Sequence, residues 1–311
     1  KKDNKEKKDL EEIKEIISPC HKKCQTVYKD IDMLQRFLDM IFGNPFHTAT
    51  EQEFAMNIAF SAKGHSGDIG CQVGAIAMND SDEVIAMGYS DVPVFGALAS
   101  EEKGWERRDS SYNEYYATMK KEQMIEEVYG NFKKANKETK INKEKFGGYF
   151  KDTKFDDLIE YFRTVHAEMD MICNAAKKGV SIRGSTVYVT LFPCHSCAKH
   201  LIACGVKKIV YLAPYEKSLA GELCDGVVLI NPDVSEVSEE GKQGKVVFEP
   251  FSGVLPRRFN DFFIIDENKT PRKEGKKHRK EIVDDPMCRL DNEFAENKGY
   301  EKLEKEACKV E

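Results

Sequence analysis

Long apolar runs are missing from this 311-residue chain: nothing approaches the roughly 18 consecutive apolar residues of a membrane-spanning helix, and no apolar leader opens it. A transmembrane helix and a secretory signal are thereby excluded from the sequence in hand. A positive charge balance is missing too, with 54 acidic against 48 basic residues and a formal net charge of -6. The chain as a whole therefore lacks the basic face by which nucleic-acid binders usually declare themselves. Local basic runs such as Arg272 to Lys280 read as a solvated charged tail. Tryptophan occurs once, no internal repeat is visible, and the phosphate-cradling pattern Gly-x-x-x-x-Gly-Lys-Ser/Thr is absent. Cysteine is not scarce: ten, irregularly spaced, point to a reducing compartment, and a cytoplasmic location is expected. The first residue is Lys1, so a trimmed chain or the tail of a longer polypeptide is expected.

Against these absences stands one dense pair of motifs. His166-Ala167-Glu168 is followed, after a helix and a strand, by Pro193-Cys194-His195-Ser196-Cys197. One imidazole and two thiolates are three zinc ligands, which leave a fourth position for water, as in catalytic rather than structural sites. Glu168, two residues from the histidine, is the residue expected to move protons there. Such a His-x-Glu and Pro-Cys-x-x-Cys pair is the pattern of zinc-dependent nucleobase deaminases. His195 and His200 are expected to lie outside the ligand set, because three ligands already suffice.

The surrounding pattern places the motifs. Leu158, Ile159, Phe162, Val165, Met169, Ile172 and Ala175 recur at a period near 3.6 and predict an amphipathic helix over Phe155 to Lys178, closed by Gly179. Thr186 to Leu191 reads as a buried strand, and Pro193 is expected to open the next helix from its first turn. Upstream, a helix is expected over Tyr28 to Phe42, ended by Gly43-Asn44-Pro45, and another over Thr50 to Lys63 with Thr50 and Glu53 as a capping box. Val73 to Met78 and Val84 to Met87 read as a hairpin. Glu101 to Lys154 is an insert with helical composition over Met119 to Lys134, where Met124, Ile125, Val128 and Phe132 share one side. It is read as a helical subdomain or a subunit contact, with a disordered loop as the alternative. Further on come strands at Ile209 to Leu212, Val227 to Ile230 and Lys245 to Phe248, and a helix at Tyr215 to Leu223. A polar loop containing Glu239-Glu240-Gly241 and a late helical stretch near Glu293 to Lys309 complete the reading. The expected fold is α/β, a three-layer α/β/α sandwich with a mixed sheet. Residues 1–29 are expected to be a charged segment or linker, 30–265 the domain with its insert at 101–154, and 266–311 a charged extension.

The chain resembles the cytidine and deoxycytidylate deaminase superfamily, and within it the bacterial anti-phage dCTP/dCMP deaminases. The core likeness rests on Val165-His166-Ala167-Glu168-Met169, Tyr188-Val189-Thr190 and Phe192 to His200. Phe42-Gly43-Asn44-Pro45-Phe46, Gln72-Val73-Gly74-Ala75, Pro214 to Ala220 and Phe248 to Phe259 extend it towards the defence group. The resemblance implies hydrolytic deamination of free deoxycytidine nucleotides, draining the dCTP pool that an infecting phage needs. It implies that the N–H of Ala167 meets the base O2 and that the carbonyl of Leu191 accepts the leaving amino group. It also places Tyr215 against the ring, and Lys217, Arg257 and Arg258 at phosphate, for which arginine's planar donors are suited. Ser90 stands where the family usually has an asparagine at the sugar, Cys71 where an arginine is common, and Phe95 to Ala99 replaces a glycine cluster. Deoxycytidylate deaminases can carry a second, structural zinc, for which Cys20, His21 and Cys24 are candidates. Homo-oligomers, an inhibitory RNA or protein partner, and a preceding P-loop kinase-like domain, expected here to be either absent or lost with the N-terminus, are further implications.

Three other readings stay open. A housekeeping dCMP deaminase would supply dUMP for thymidylate synthesis. A nucleic-acid editor would need a flipped or single-stranded base and a basic channel, against which the acidic balance weighs. A deaminase-like nucleotide sensor would have no use for the proton shuttle Glu168.

Overall fold

The computed structural model describes residues 31–41, 47–112, 115–138, 140–155, 157–232 and 243–264. The Cys20-His21-Cys24 cluster, Phe42 to Phe46, Glu239 to Gly241, the basic run Arg272 to Lys280 and the stretch Glu293 to Lys309 lie outside the described residues. The chain divides into two compact units, one of Ile58–Pro250 and the other of the residues on either side of it.

In chain order the elements are helix α1 (Ile31–Ile41), helix α2 (Glu51–Lys63), strands β1 (Gly74–Met78), β2 (Val84–Tyr89), β3 (Pro93–Val94) and β4 (Ala97–Leu98), and helices α3 (Tyr116–Ala135) and α4 (Lys143–Gly148). Then follow α5 (Ala167–Lys178), β5 (Thr186–Val189), α6 (His195–Ala203), β6 (Lys208–Tyr211), α7 (Ala220–Leu223), β7 (Val228–Ile230), β8 (Val246–Pro250) and α8 (Phe259–Phe263). Six strands form one sheet in the order β2-β1-β5-β6-β8-β7. β1 runs antiparallel to β2 and β5, whereas β5, β6, β8 and β7 are mutually parallel, so the sheet is mixed. β1 and β5 sit inside it and are buried at every position, which is why their sequences read as near-continuous apolar runs.

Two glycines reveal the layers. A Cβ added at Gly88 would fall 2.3 Å from the Met171 nitrogen and 2.4 Å from the Ala167 oxygen, so the backbone of α5 rests directly on β2. Ala75 is the register partner of Gly88 and shares that face; the preceding Gly74 therefore faces the other way. There a Cβ would meet the Ala59 oxygen at 2.0 Å, which puts α2 on the opposite face. α6 packs beside α5 and α7 beside α6, giving the α/β/α arrangement expected from the sequence. The core between them is built on Ala77, Met171, Val187, Leu201, Ile209 and Phe248.

The insert is helical. Its inward side is Ile125, Tyr129 and Phe132 rather than Val128, which is 47% exposed. Phe146 packs against Tyr129 and Phe132, and the ring contacts continue through Phe150 to Phe155. Tyr129 also donates to the Ile141 carbonyl at 3.0 Å.

Three local expectations are corrected. The helix foreseen over Phe155 to Lys178 starts only at Ala167, because Val165 exchanges both backbone hydrogen bonds with Asp91 and so cannot contribute them to a helix. Pro193 does not open α6 from its first turn: Cys194 is the N-cap, and Pro193 stands before it. The helix foreseen over Tyr215 to Leu223 is confined to Ala220–Leu223, since Tyr215 to Ser218 close a turn through Ser218 N–H to the Tyr215 carbonyl.

In the other unit, Glu53 is the organising residue. Thr50 Oγ1 accepts from Glu53 N at 3.2 Å and Glu53 Oε2 accepts from Thr50 N at 2.7 Å, the capping box expected at this helix start. The same buried carboxylate takes Arg36 at 2.8 and 2.9 Å and the Val254 N–H at 2.8 Å. Met40, Val254 and Phe262 form a small apolar core beside it.

Candidate metal centre and active site

His166, Cys194 and Cys197 converge at the starts of two helices. His166 is the N-cap of α5 and extended at φ -69, ψ 150; Cys194 is the N-cap of α6, its sulfur accepting from Cys197 N at 3.4 Å. This is the usual reason for an N-cap side chain, to satisfy an orphan N–H of the first turn, here met by sulfur at an electropositive helix end. His166 Nδ1 lies 3.4 Å from each of the two sulfurs, and the three donor atoms lie within 4.8 Å of one another. Zinc bonded tetrahedrally at about 2.0 Å to nitrogen and about 2.3 Å to sulfur would set nitrogen and sulfur roughly 3.5 Å apart. The donor set fits.

Its electrostatics point the same way. The Cys194 thiol is pulled down to about 4, first by the hydrogen bond from the Cys197 thiol and then by His166. Cys197, as that donor and deeply buried, is pushed up. Two thiolates this close repel each other unless a cation shares them, which is what a dication between them supplies. Glu168 stands next to this group, 4% exposed, its carboxyl raised above the usual range by burial and held back in part by His166. A buried carboxyl that gives up its proton reluctantly is suited to taking and returning one.

Other expected residues lie on the segments that flank α5, β5 and β6. Leu191 lies in the bend after β5, half-buried against the core, and the neighbouring Phe192 N–H is held by the Ala213 carbonyl at 2.8 Å, the segment that follows β6. Ala167 is the fully buried first residue of α5, whose N–H is among those a helix leaves for outside partners. Tyr215 is half-buried, and its phenol is raised by burial and then by Cys194. Ser218 Oγ donates to the Pro193 carbonyl at 2.7 Å, tying the Tyr215–Ser218 turn to the cysteine loop. Lys217, on that turn, pairs with Asp157 at 2.7 Å.

Ser90 lies buried just past the end of β2. Its Oγ accepts from Val73 N at 2.9 Å and lies 3.0 Å from Ser66 Oγ, stapling the end of β2 to the preceding loop. Arg257 and Arg258 belong to the other unit, on a short 3-10 turn: Arg257 is exposed, while Arg258 pairs with Asp261 at 3.0 Å and lies over the Phe262 ring.

Two further groups of charged residues were not among the expected site residues. Asp91 is 1% exposed and accepts from Gly67 N at 2.9 Å, Val92 N at 2.8 Å and the Arg108 guanidinium at 2.7 and 3.1 Å. Its backbone carries Val165, directly before His166. Asp68 accepts from Thr164 Oγ1 at 3.0 Å and from Gly70 N at 2.7 Å, and with Lys63, Cys71 and Gln72 it lines an open hollow. The Cys71 thiol in this hollow is raised by partial desolvation and then by the charge of Asp68. Charged residues in such numbers are ordinarily surface residues, and only the Gly67-Asp68-Ile69-Gly70 turn chemistry hinted at the second group.

Residues 49–213 match the family described as the cytidine and deoxycytidylate deaminase zinc-binding region. The chain belongs to this family. The family is a zinc-binding one, and His166, Cys194 and Cys197 are the group among the described residues able to hold the ion. The deoxycytidylate deaminase of Enterobacteria phage T4 is 49% identical over 57 residues, 18% of this chain and 30% of that enzyme. The human deoxycytidylate deaminase is 26% identical over 161 residues, 52% of this chain and 64% of the relative. The chain thus spans about a third of the phage relative's length and somewhat under two thirds of the human one's. A dCMP deaminase from the cyanophage S-TIM5, solved with dCMP and dUMP, overlaps 66% of this chain and 99% of its own at 18% identity and a TM-score of 0.35.

Proposed function

We propose that this chain is a zinc-dependent hydrolytic deaminase of free deoxycytidine nucleotides, converting dCTP, with dCMP as a second substrate, to the deoxyuridine nucleotide and ammonia. The observation that carries the reading is a buried carboxyl, Glu168, beside three converging zinc donors. His166, Cys194 and Cys197 would hold the ion, which when bound lowers the pKa of a water to about 7. Glu168 takes one proton from the attacking water and gives it to N3 of cytosine as the oxygen adds at C4; it then takes the remaining proton of the added hydroxyl and gives it to the amine, which leaves as ammonia while the C4 carbonyl forms. The N–H of Ala167 orients the base through O2, and the Leu191 carbonyl accepts from the departing amino group. Tyr215 borders the ring and Lys217 meets phosphate; the resemblance adds Arg257 and Arg258 as phosphate candidates on their own unit.

The defence role, depletion of dCTP during phage infection by a cytoplasmic homo-oligomer, rests on the resemblance of the flanking segments. So does the division into a functional domain at 30–265 with charged extensions on either side. A second reading, a housekeeping dCMP deaminase, is favoured by the relatives, which bear the name deoxycytidylate deaminase. Ammonia release by the zinc-loaded chain on dCTP, dCMP, deoxycytidine, CTP and single-stranded DNA separates the two. Turnover of dCTP is expected; turnover of dCMP alone would give the housekeeping reading. Glu168→Ala is expected to retain zinc and lower kcat by roughly 10²–10⁴-fold, the range for a general acid–base group. Unchanged turnover would sink the mechanism.

A further inference from the structure

The Lys217–Asp157 ion pair joins two segments that the sequence gives no reason to connect. Lys217 sits on a turn fixed at Ser218, whose hydroxyl donates to the carbonyl of Pro193, the residue before the ligand Cys194. Asp157 lies just past the insert and ahead of His166, in a segment pinned downstream by Thr164 to Asp68 and by Val165 to Asp91. The two side chains meet at 2.7 Å and remain in contact with solvent, 57% exposed for Lys217 and 25% for Asp157. Lys154 stands 4.0 Å from the other Asp157 oxygen, so the carboxylate has a second cation to turn to.

We propose that Asp157 is a specificity-determining residue: its carboxylate holds Lys217 in the free enzyme in the place of a substrate phosphate, and yields it when a phosphorylated ligand arrives. This rests on the reading that Lys217 meets the nucleotide's phosphate. An exposed pair is weak and opens at little cost. A phosphate brings up to two negative charges and three acceptor oxygens against the single charge of a carboxylate, so it wins the lysine. A nucleoside brings no anion and leaves the pair intact. The two pins at Thr164 and Val165 keep the segment attached when Asp157 lets go, so the exchange leaves His166 where it is.

The test is the kinetics of the zinc-loaded full chain on dCMP, dCTP and deoxycytidine, for the parent, Asp157→Asn, Lys217→Met and the double variant. Asp157→Asn is expected to lower KM for both nucleotides by about three- to fivefold, the size of an exposed pair, with kcat and all deoxycytidine parameters unchanged. Lys217→Met is expected to raise nucleotide KM and to cancel the effect of the second substitution. An unchanged nucleotide KM in Asp157→Asn, or an equal shift for deoxycytidine, overturns the proposal, the latter because it reports mere loosening of the segment. Calorimetric binding of dCMP to the Glu168→Ala chain, with and without Asp157→Asn, keeps the two readings apart. Tighter binding without turnover in the parent would refute the proposed chemistry and leave the exchange standing; turnover in the parent with unchanged binding would do the reverse.

Discussion

Asp91 shows how a charge is kept inside this protein. Its carboxylate has lost almost all contact with water, yet two backbone N–H groups and a guanidinium that grips both oxygens replace that hydration. The guanidinium lies flat on Gly67, where a Cβ would come within 2.1 Å of Arg108 Cζ. Removing one partner of such a pair leaves the other charge buried and bare. Arg108→Met is therefore expected to cost about 3–5 kcal/mol in urea unfolding. Because Asp91 also carries the strand segment before His166, zinc affinity should fall with it, as a competition titration with a chromophoric chelator would report. Undiminished stability would mean that Asp91 finds water in the folded state.

Among the elements, α5 carries the histidine and the glutamate, and its height above the sheet is set by the missing side chain of Gly88. Gly88→Ala would place a methyl group against backbone atoms of Ala167 and Met171, so the helix must lift. A cost of about 1–3 kcal/mol is expected from such overpacking, together with weaker metal binding, measured by thermal melting with and without zinc. The sequence made α5 legible from Ala167 onward but not where it starts. The apolar period continues backward through Phe162, Leu158 and Phe155, and periodicity cannot distinguish a helix from an extended segment whose N–H and C=O groups Asp91 has taken. The turn at Tyr215 was misread for a similar reason, its hydrogen bonds going to Ser218 and Pro193. The ligand set and the capping box at Thr50 could be read because each is a short-range pattern of donor chemistry. Arg108–Asp91 and Lys217–Asp157 could not, since each joins chain segments whose meeting only the fold decides.

For the molecule as a whole, the three donors couple metal to stability. With no cation bound, the Cys197 thiol and His166 satisfy Cys194 by hydrogen bonds, each sulfur 3.4 Å from the imidazole nitrogen, and a bound zinc would replace these contacts with stronger metal–ligand bonds. Zinc bound at a hundredfold excess over its dissociation constant would add about 2.7 kcal/mol to unfolding. Chelation is expected to lower the melting temperature and restoration of zinc to recover it; a melting curve indifferent to the ion would mean that the donors are held by the surrounding fold alone.

The donors also have a place in time. Cys197 is 31 residues from His166, with α5 and β5 between them, whereas the bond of Gly74 to Thr190 that fastens β1 beside β5 spans 116. Closing the longer loop costs about 1 kcal/mol more in chain entropy. A chain refolding in zinc can therefore capture the ion on a nucleus of α5, β5 and the start of α6 while the antiparallel side of the sheet is still unpaired. A chain that folds first must admit zinc into a group whose sulfurs are already buried, so the order of addition, and not only the amount, is expected to govern how much zinc-loaded protein is recovered.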